Sequence, residues 1–341
     1  MGGFTKAAKL TERGIVMNMK MADMIFINSN VITMENEPAK AEAVAVKDGV
    51  IVFVGDNSGA LQLKGDQTEV IDLKGKTLIP GFIESHIHPL LYGCTLLGVP
   101  CGGETTKSLD NLLKTIAGVV AQTPKGEWIT GWGWDDSKFS EKRNPTRWDL
   151  DKIAPEHPVF LKRTCGHNAV ANSKALELGK IDATTLDPEG GHIEKDPVTG
   201  EPTGILRERS MEMVPVPPYT IDDFKKGMFL AQQEFAKRGI TTVNDMSAEP
   251  DGIRTCQQLL NEKKLNVRMR SWPFARTELG FHGFLNNLTA MGMESGYGND
   301  MLRLQGVKFM LDGSMGGRTA PAGVVPAGVA AAAGAAVGAT G

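Results

Sequence analysis

Hydrophobic and polar residues alternate with a period of about two along the first part of the chain, a spacing typical of short β-strands. The segments that show it are ADMIFINSNVITM, AEAVAVKDGVIVFVGD and EVIDLKGKTLIPGF. Asp48-Gly49 separates two apolar runs and predicts a hairpin turn. We therefore predict an all-β module over residues 22–80, which leads directly into an apolar strand that ends at His86-Ile87-His88.

Helices and strands alternate beyond about residue 105. SLDNLLKTIAGVVAQT has helical spacing with Ser108 as its N-cap, and EWITGWGWDD and HPVFLKRT are predicted strands. Asp222-Asp223 opens a helix that ends at Gly239, and the strand ITTVNDM follows at once. The same order recurs with a helix over residues 251–264, NVRMRSWPF as a strand, and then LRLQGVKFML. These repeats predict an α/β fold with a parallel barrel or a doubly wound sheet.

The two ends of the chain differ from the rest in composition. Residues 1–21 are basic and lack an apolar run of signal-peptide length, so we predict a disordered leader there. Residues 319–341 contain almost only Ala, Gly, Val and Pro, which bury little side-chain area and oppose a regular helix. We expect this low-complexity tail to be an out-of-frame extension, a gene-calling artefact or a linker, none of which supplies catalytic residues.

Composition favours small-molecule chemistry. The 341 residues are 41% hydrophobic and 23% charged, and their net charge is −3 with the two signs interspersed. No face is marked out for nucleic acid, and no segment for a membrane. Cys94, Cys101, Cys165 and Cys256 lie far apart without a C-x-x-C pair, which argues against a disulfide scaffold or a zinc knuckle. A reducing, cytoplasmic setting is expected.

His86 and His88 are the first candidates for chemistry. They stand two residues apart at the end of an apolar strand, so the strand period points both imidazoles to the same side. Two neutral imidazoles are half of a divalent metal site. An H-x-H pair also occurs by chance in many proteins, so the pair needs support from its context.

That context is a set of segments that resembles the amidohydrolase superfamily. Leu78-Ile79-Pro80-Gly81-Phe82-Ile83-Glu84-Ser85-His86-Ile87-His88 is similar to its opening, where a β-sandwich leads into the first strand of a (β/α)₈ barrel. Further segments resemble the family 3 branch, which includes N-substituted formamide deformylases; they are GWGWD from Gly131, GHNAVANSKAL from Gly166, GILRE from Gly204 and GVKFMLDGS from Gly306. The resemblance covers roughly residues 22–318.

The resemblance implies a fold and a reaction class. The expected fold is α/β: an incomplete β-sandwich module over residues 22–80, then part of a TIM-like (β/α)₈ barrel over residues 81–318, with an inserted α/β subdomain at about residues 95–220. GITTVNDM, NVRMRSWPF and RLQGVKFML would be barrel strands 2, 3 and 4. The expected function is hydrolysis of non-peptide amide or formamide C–N bonds in a small molecule, with deaminase and cyclic-amide hydrolase as alternatives.

Lys308 matches the position at which many superfamily members carry a carbamylated lysine that bridges two metals. A carbamate presents an anionic carboxylate where a free ammonium would repel a cation. Alternatively, Lys308 extends to solvent or forms a salt bridge with Asp312. The implied cofactor is one or two divalent ions, zinc first and iron or manganese as alternatives, which lower the pKa of water to about 7 and polarise the substrate carbonyl.

The chain lacks residues for the later barrel strands, on which the family places further histidines and a catalytic aspartate. His282 is the last histidine and falls before strand 4. The catalytic residue is therefore unassigned, and truncation after strand 4 is expected. A truncated inactive fragment and a non-catalytic binding or regulatory protein are the alternatives. Open strand edges would favour self-association, so a homo-oligomer is expected among the assembly states.

Four residues are candidates for contact with substrate. The resemblance places His167 and His192 at the mouth of the active site, and Trp134 and Asp312 are added as pocket residues. Each has an ordinary alternative: a histidine that caps a turn, a tryptophan that packs in the core, or an acidic residue that caps the next helix. Helix capping is also the expected role of Asp245, at the end of strand 2.

Overall fold

The computed structural model describes residues 21–35, 41–103, 106–277 and 282–309. These residues fall into two compact units, one up to Phe82 and the other from Ile83 onward. None of the helices in the described ranges is long and apolar enough to cross a lipid bilayer.

The first unit is built of short strands with one short helix. Its elements are β1 (Met24–Ile27), β2 (Asn30–Val31), β3 (Ala43–Lys47), β4 (Val50–Gly55), α1 (Asn57–Leu61), β5 (Glu69–Asp72) and β6 (Thr77–Leu78). One sheet has the order β4-β3-β1-β5, and β2 pairs with β6 in a second. Strands β3 and β4 are antiparallel, and Asp48 and Gly49 between them have φ angles of 51° and 75°. The predicted hairpin turn at Asp48-Gly49 is therefore confirmed.

The second unit contains the remaining helices and strands of the described chain. In chain order they are β7 (Phe82–Ile87, of which Phe82 belongs to the first unit), α2 (Pro89–Thr95), β8 (Val99–Pro100), α3 (Leu109–Val120), β9 (Ile129–Trp134), α4 (Arg147–Asp151), β10 (Val159–Arg163), β11 (Asn168–Ala171), α5 (Ser173–Leu178), β12 (Gly191–Lys195), β13 (Pro202–Glu208), α6 (Ile221–Lys237), β14 (Ile240–Asp245), α7 (Pro250–Asn261), β15 (Arg268–Ser271), α8 (Leu285–Ala290) and β16 (Leu302–Leu304). Short 3₁₀ turns occur at Asp136–Lys138 and Arg209–Met213.

A six-stranded sheet with the order β12-β13-β11-β10-β9-β8 forms one part of this unit. Its two faces lie against two different apolar clusters. Leu161 and Val170 pack with α3 residues such as Leu112, whereas the adjacent Phe160 and Ala169 pack with Leu176 of α5 on the other face. The period-two alternation of strand side chains produces this division, and a strand buried on both faces is apolar throughout.

A four-stranded sheet with the order β16-β15-β14-β7 forms the other part. Strands β14, β15 and β16 are parallel neighbours, and the intervening segments contain α7 and α8. Val243 and Met269 from the strands pack with Met228 and Phe235 of α6 and Leu259 of α7. Consecutive strands with helices between them are thus adjacent in space, as the repeated strand and helix pattern predicted.

Two glycines set the distance between α2 and α6. A Cβ atom on Gly93 would lie 2.5 Å from the carbonyl carbon of Gly227, and one on Gly227 would lie 2.8 Å from that of Gly93. The two helices therefore cross with their backbones in contact. Because α2 begins at Pro89, directly after His88, this crossing fixes the end of β7 that carries the histidines.

Two of the predicted helix ends are confirmed. The hydroxyl of Ser108 accepts a hydrogen bond from the Asn111 N–H at the start of α3. Gly239, with a φ of 71°, follows the last residues of α6 in the left-handed conformation that favours glycine. The start of α6 differs slightly from the prediction, because Thr220 is the N-cap and forms a capping box with Asp223.

Candidate metal centre

His86 and His88 lie side by side where β7 ends. Their ring centroids are 5.6 Å apart and their planes are nearly perpendicular, at 89°. His86 is exposed and His88 is partly buried. The alternation of side chains along the strand thus brings the two imidazoles together, as the H-x-H spacing predicted.

Ser247 contacts His88, the more buried of the two histidines. The Nδ1 atom of His88 lies 2.6 Å from the Ser247 hydroxyl oxygen, which connects the end of β7 to the loop after β14. The backbone N–H of Ser247 donates in turn to the Asp245 carboxylate at 3.2 Å. This contact orients the His88 ring and leaves the Nε2 atom as the nitrogen available for a ligand.

The electrostatics around His88 favour the neutral imidazole, the form that binds metal. Burial lowers the pKa of His88, and the positive charges of Lys308 and His86 lower this pKa further. Burial also lowers the pKa of the Lys308 ammonium, which increases the fraction of neutral amine that carbamylation requires.

Lys308 lies beyond the regular strand in which it was expected. Strand β16 ends at Leu304, and Lys308 forms an isolated bridge with Phe274. Its N–H donates to the Pro273 carbonyl and its carbonyl accepts from the Ala275 N–H, both at 2.8 Å. Pro273 has no N–H, so the ladder is interrupted there and resumes with a single bridge. This corrects the prediction that strand 4 runs without a break through Lys308.

Asp245, at the end of β14, is 6% exposed. Burial raises the pKa of this carboxyl to about 6, against the opposing effect of its hydrogen bond from Ser247, and the charge of Glu249 raises it further. The N-cap of the following helix is Glu249. The expectation that Asp245 caps this helix is therefore wrong, and the carboxylate instead stabilises the turn that holds Ser247.

Two side-chain hydrogen bonds link β7, β14 and the segment after β15. The indole N–H of Trp272 donates to the Asn244 side-chain oxygen at 3.0 Å, and the Asn244 amide donates to the Glu84 carbonyl at 3.1 Å. These bonds connect the segment after β15 to β14 and to β7. Sequence reasoning missed Ser247 and Asn244; the only signal was a cluster of polar residues at the end of an apolar strand.

The histidine pair lacks a third ligand of the usual type within the described ranges. Over residues 21–35, 41–103, 106–277 and 282–309, no set of three or more His, Cys, Asp or Glu side chains is close enough together to hold a metal ion. Lys308 is the additional group whose charge affects the pKa of His88. A metal at this point would therefore need His86, His88 and a modified Lys308, or ligands from elsewhere.

The predicted substrate residues of the insertion share one edge of the six-stranded sheet. His167 immediately precedes β11 and His192 lies near the start of β12, at the edge where β9, β10 and β13 end. Each ring nitrogen Nδ1 is paired with a carboxylate, His167 with Glu208 at 3.0 Å and His192 with Asp187 at 2.8 Å. Both histidines are exposed.

Trp134 differs from this pair because it is fully buried. Its indole belongs to the core cluster on the α3 side of the sheet, and its N–H points to the Leu161 carbonyl at 3.5 Å. This corrects the expectation that Trp134 contacts substrate, since the side chain packs in the core. Asp312 lies outside the described residues. His282 packs against Phe284 and is not part of the histidine pair.

Comparison with known proteins adds a family match. A family model described as an amidohydrolase family, Amidohydro_3, matches residues 69–326. The chain is 32% identical over 308 residues to Protein LONG AFTER FAR-RED 3 of Arabidopsis thaliana, with 88% of this chain and 52% of that protein covered. It is 31% identical over 293 residues to the putative amidohydrolase YtcJ of Bacillus subtilis, covering 85% and 54%. The chain thus spans about half the length of these relatives.

A third relative and a solved structure extend the comparison. The N-substituted formamide deformylase of Arthrobacter pascens is 37% identical over 195 residues, which cover 57% of this chain and 36% of that protein. An uncharacterised metal-dependent hydrolase from Pyrococcus furiosus superposes with a TM-score of 0.64 at 29% identity, covering 86% of this chain and 57% of the other.

Proposed function

Because the chain belongs to the amidohydrolase family, we propose that it acts in metal-dependent hydrolysis of a non-peptide C–N bond, with a small amide or formamide as substrate. The observation that carries the proposal is the pair His86 and His88, side by side at a strand end. The positive charge of Lys308, which lowers the pKa of His88, supports the inclusion of Lys308 in the site. The similarity to the Arthrobacter N-substituted formamide deformylase supports a formamide in preference to other amides.

The fold proposed for this activity is a TIM-like (β/α)₈ barrel, of which β7, β14, β15 and β16 are the first four strands. Their order in the sheet, with consecutive strands adjacent, supports this assignment. The six-stranded sheet then forms an inserted α/β subdomain after the first barrel strand. In such barrels the functional groups lie at the carboxyl ends of the strands, and His86 and His88 are at that end of β7.

His86, His88 and Lys308 are the residues that would hold the metal. Two imidazoles and a carboxylate made by carbamylation of Lys308 form a nitrogen and oxygen ligand set that suits zinc, and iron or manganese also accept it. The expected occupancy is one or two ions. A bound divalent cation supplies a Lewis acid that polarises the substrate carbonyl and acidifies water.

The other residues of the site position these ligands. In the tautomer that binds metal through Nε2, the Nδ1–H of His88 would donate a hydrogen bond to the Ser247 hydroxyl oxygen, 2.6 Å away, and the Nε2 lone pair would be directed away from Ser247. Asn244 and Trp272 hold the end of β7 against its neighbours, and the contact of Gly93 with Gly227 fixes the helix that follows. The orientation of the His88 imidazole is thereby set before any ligand binds.

The proposal is tested by release of formate from an N-substituted formamide, measured with the chelated protein and after addition of Zn²⁺, Fe²⁺ or Mn²⁺. We expect formate release only after metal is added, and its loss in His86→Ala and His88→Ala. His282→Ala, a histidine substitution away from the pair, should retain the activity. An N-acetyl analogue of the same amine, followed by acetate release, compares amides with formamides.

Formate release that is indifferent to chelation and to both substitutions would contradict the proposal. Binding of metal at the histidine pair without hydrolysis of either compound would instead favour a binding or regulatory role on the same scaffold.

A further inference from the structure

Several charged side chains meet at one edge of the six-stranded sheet, away from the histidine pair on β7. Strands β9 and β10 are parallel and end there at Trp134 and Arg163, and β13 ends there at Glu208. Ligands of open parallel α/β sheets bind outside the carboxyl ends of the strands, and β8, β9 and β10 are the parallel strands of this sheet. This edge is called the charged edge below, and its members are Trp132, Lys162, Arg163, His167, Arg207 and Glu208.

All but one of the cationic or basic members of the charged edge have an acidic partner within the protein. Arg163 pairs with Asp135 at 2.9 Å and with Asp136 at 2.8 Å. Arg207 pairs with Glu194 at 2.6 Å, and His167 contacts Glu208. These charges are already compensated, so they contribute little to the attraction of a further ion.

Lys162 is the exception. Its ammonium lies 5.4 Å from the centre of the Trp132 ring, on the face of the sheet that also carries Phe160. Within the described ranges no carboxylate or hydrogen-bond acceptor pairs with it, and desolvation alone lowers its pKa. The side chain is only partly exposed. A partly buried cation without a counter-charge is costly, and a cation–π contact compensates only part of that cost.

The backbone carries strain at the charged edge, at the end of β13. Glu208 has a φ of 51° and a ψ of −129°, an unusual conformation for a residue with a side chain. Its N–H donates to the His167 carbonyl at 2.9 Å, which holds it there. Gly166 has a φ of 78°, and a Cβ atom on it would lie 3.4 Å from the Trp132 ring. Strain of the kind that Glu208 shows is concentrated at binding and catalytic sites.

We propose that the Lys162 ammonium and the Trp132 ring at the charged edge form a subsite that binds the carboxylate of a small organic acid. One uncompensated positive charge matches a monoanion better than a phosphate dianion, because Arg163 and Arg207 are engaged elsewhere. The Trp132 ring gives the apolar part of the acid a surface to contact. That this acid is a substrate rests on the proposed hydrolase function; carboxylate binding itself does not.

The test is calorimetric titration of the chelated, metal-free protein with sodium benzoate, with neutral benzamide and with inorganic phosphate, all at one ionic strength. We expect benzoate to bind at least about ten-fold more tightly than benzamide or phosphate, the factor for a hydrogen bond to a charged group. Lys162→Met should remove this preference and Lys162→Arg should retain it. The matched control is Lys174→Met, which removes an exposed lysine of α5.

Equal affinity of the unmodified protein for benzoate and benzamide, or no saturable binding of benzoate, would overturn the proposal without reliance on any variant. Tighter binding of phosphate than of benzoate would assign the site to phosphate and also overturn it. An unchanged benzoate affinity in Lys162→Met would show that another cation binds the acid. Metal is absent from these titrations, so their failure is separate from failure of the histidine site.

Discussion

Asp245→Asn is expected to stabilise the metal-free protein at neutral pH. The carboxyl group is 6% exposed and accepts one hydrogen bond from the Ser247 N–H. Burial raises its pKa from 3.8 to about 6. A shift of roughly two pH units corresponds to a cost of about 3 kcal/mol for ionisation in the folded state. An asparagine side chain has no such cost, and its amide oxygen still accepts from Ser247.

The sign of the pH dependence follows from the direction of the shift. The folded state binds more protons at Asp245 than the unfolded state between pH 3.8 and about 6. The contribution of Asp245 to the free energy of unfolding is therefore most favourable below pH 3.8 and falls as pH rises through about 6. The advantage of Asp245→Asn should grow over this window and reach at most about 3 kcal/mol above it.

The assay is urea unfolding of the chelated protein, followed by tryptophan fluorescence, at several values between about pH 4.5 and about pH 7.5. The free energies of unfolding of the two proteins should diverge as pH rises. Asp66→Asn, which changes an exposed aspartate, is the control and should run parallel to the unmodified protein. Parallel curves for Asp245→Asn as well would refute the inference that this carboxylate is costly to ionise.

One further substitution tests the positioning of His88, and another tests the packing of α2 against α6. Ser247→Ala should weaken Zn²⁺ binding by about 10–100-fold, the usual effect of losing a group that orients a ligand histidine. The exposed control Ser85→Ala should leave Zn²⁺ binding unchanged. Equal zinc affinities of Ser247→Ala and the unmodified protein in direct titration would show that Ser247 does not orient His88. Gly93→Ala should lower the free energy of unfolding by about 1–3 kcal/mol, because its Cβ atom would lie 2.5 Å from the Gly227 backbone. Gly118→Ala in α3, with open space around it, should raise this free energy by up to about 1 kcal/mol, and a loss similar to that of Gly93→Ala would contradict the packing argument.

The parts of the fold that depend on local periodicity could be predicted from sequence. The hairpin at Asp48-Gly49, the Ser108 cap and the end of α6 at Gly239 are determined by neighbouring residues, and the structure has all three. The pairing of His86 with His88 was equally accessible, because two residues on one strand share a face whatever surrounds them.

Features that depend on distant partners could not be predicted. Ser247 is 159 residues from His88 in sequence, and no local sequence pattern near either residue predicts their contact. Trp134 and Trp132 stand two residues apart, yet one is buried in the core and the other lies beneath Lys162, because a register shift at Lys162/Arg163 intervenes. The break after β16 was missed because it depends on Pro273 in the neighbouring segment.

The central claim is that His86, His88 and Lys308 hold a divalent metal ion, and zinc titration of the chelated protein in bicarbonate buffer tests it most directly. We predict saturable binding of one or two Zn²⁺ ions, loss of this binding in His86→Ala and in His88→Ala, weakening in Lys308→Met, and no change in His282→Ala. Zinc affinity and stoichiometry that are the same in His86→Ala and His88→Ala as in the unmodified protein would contradict the account.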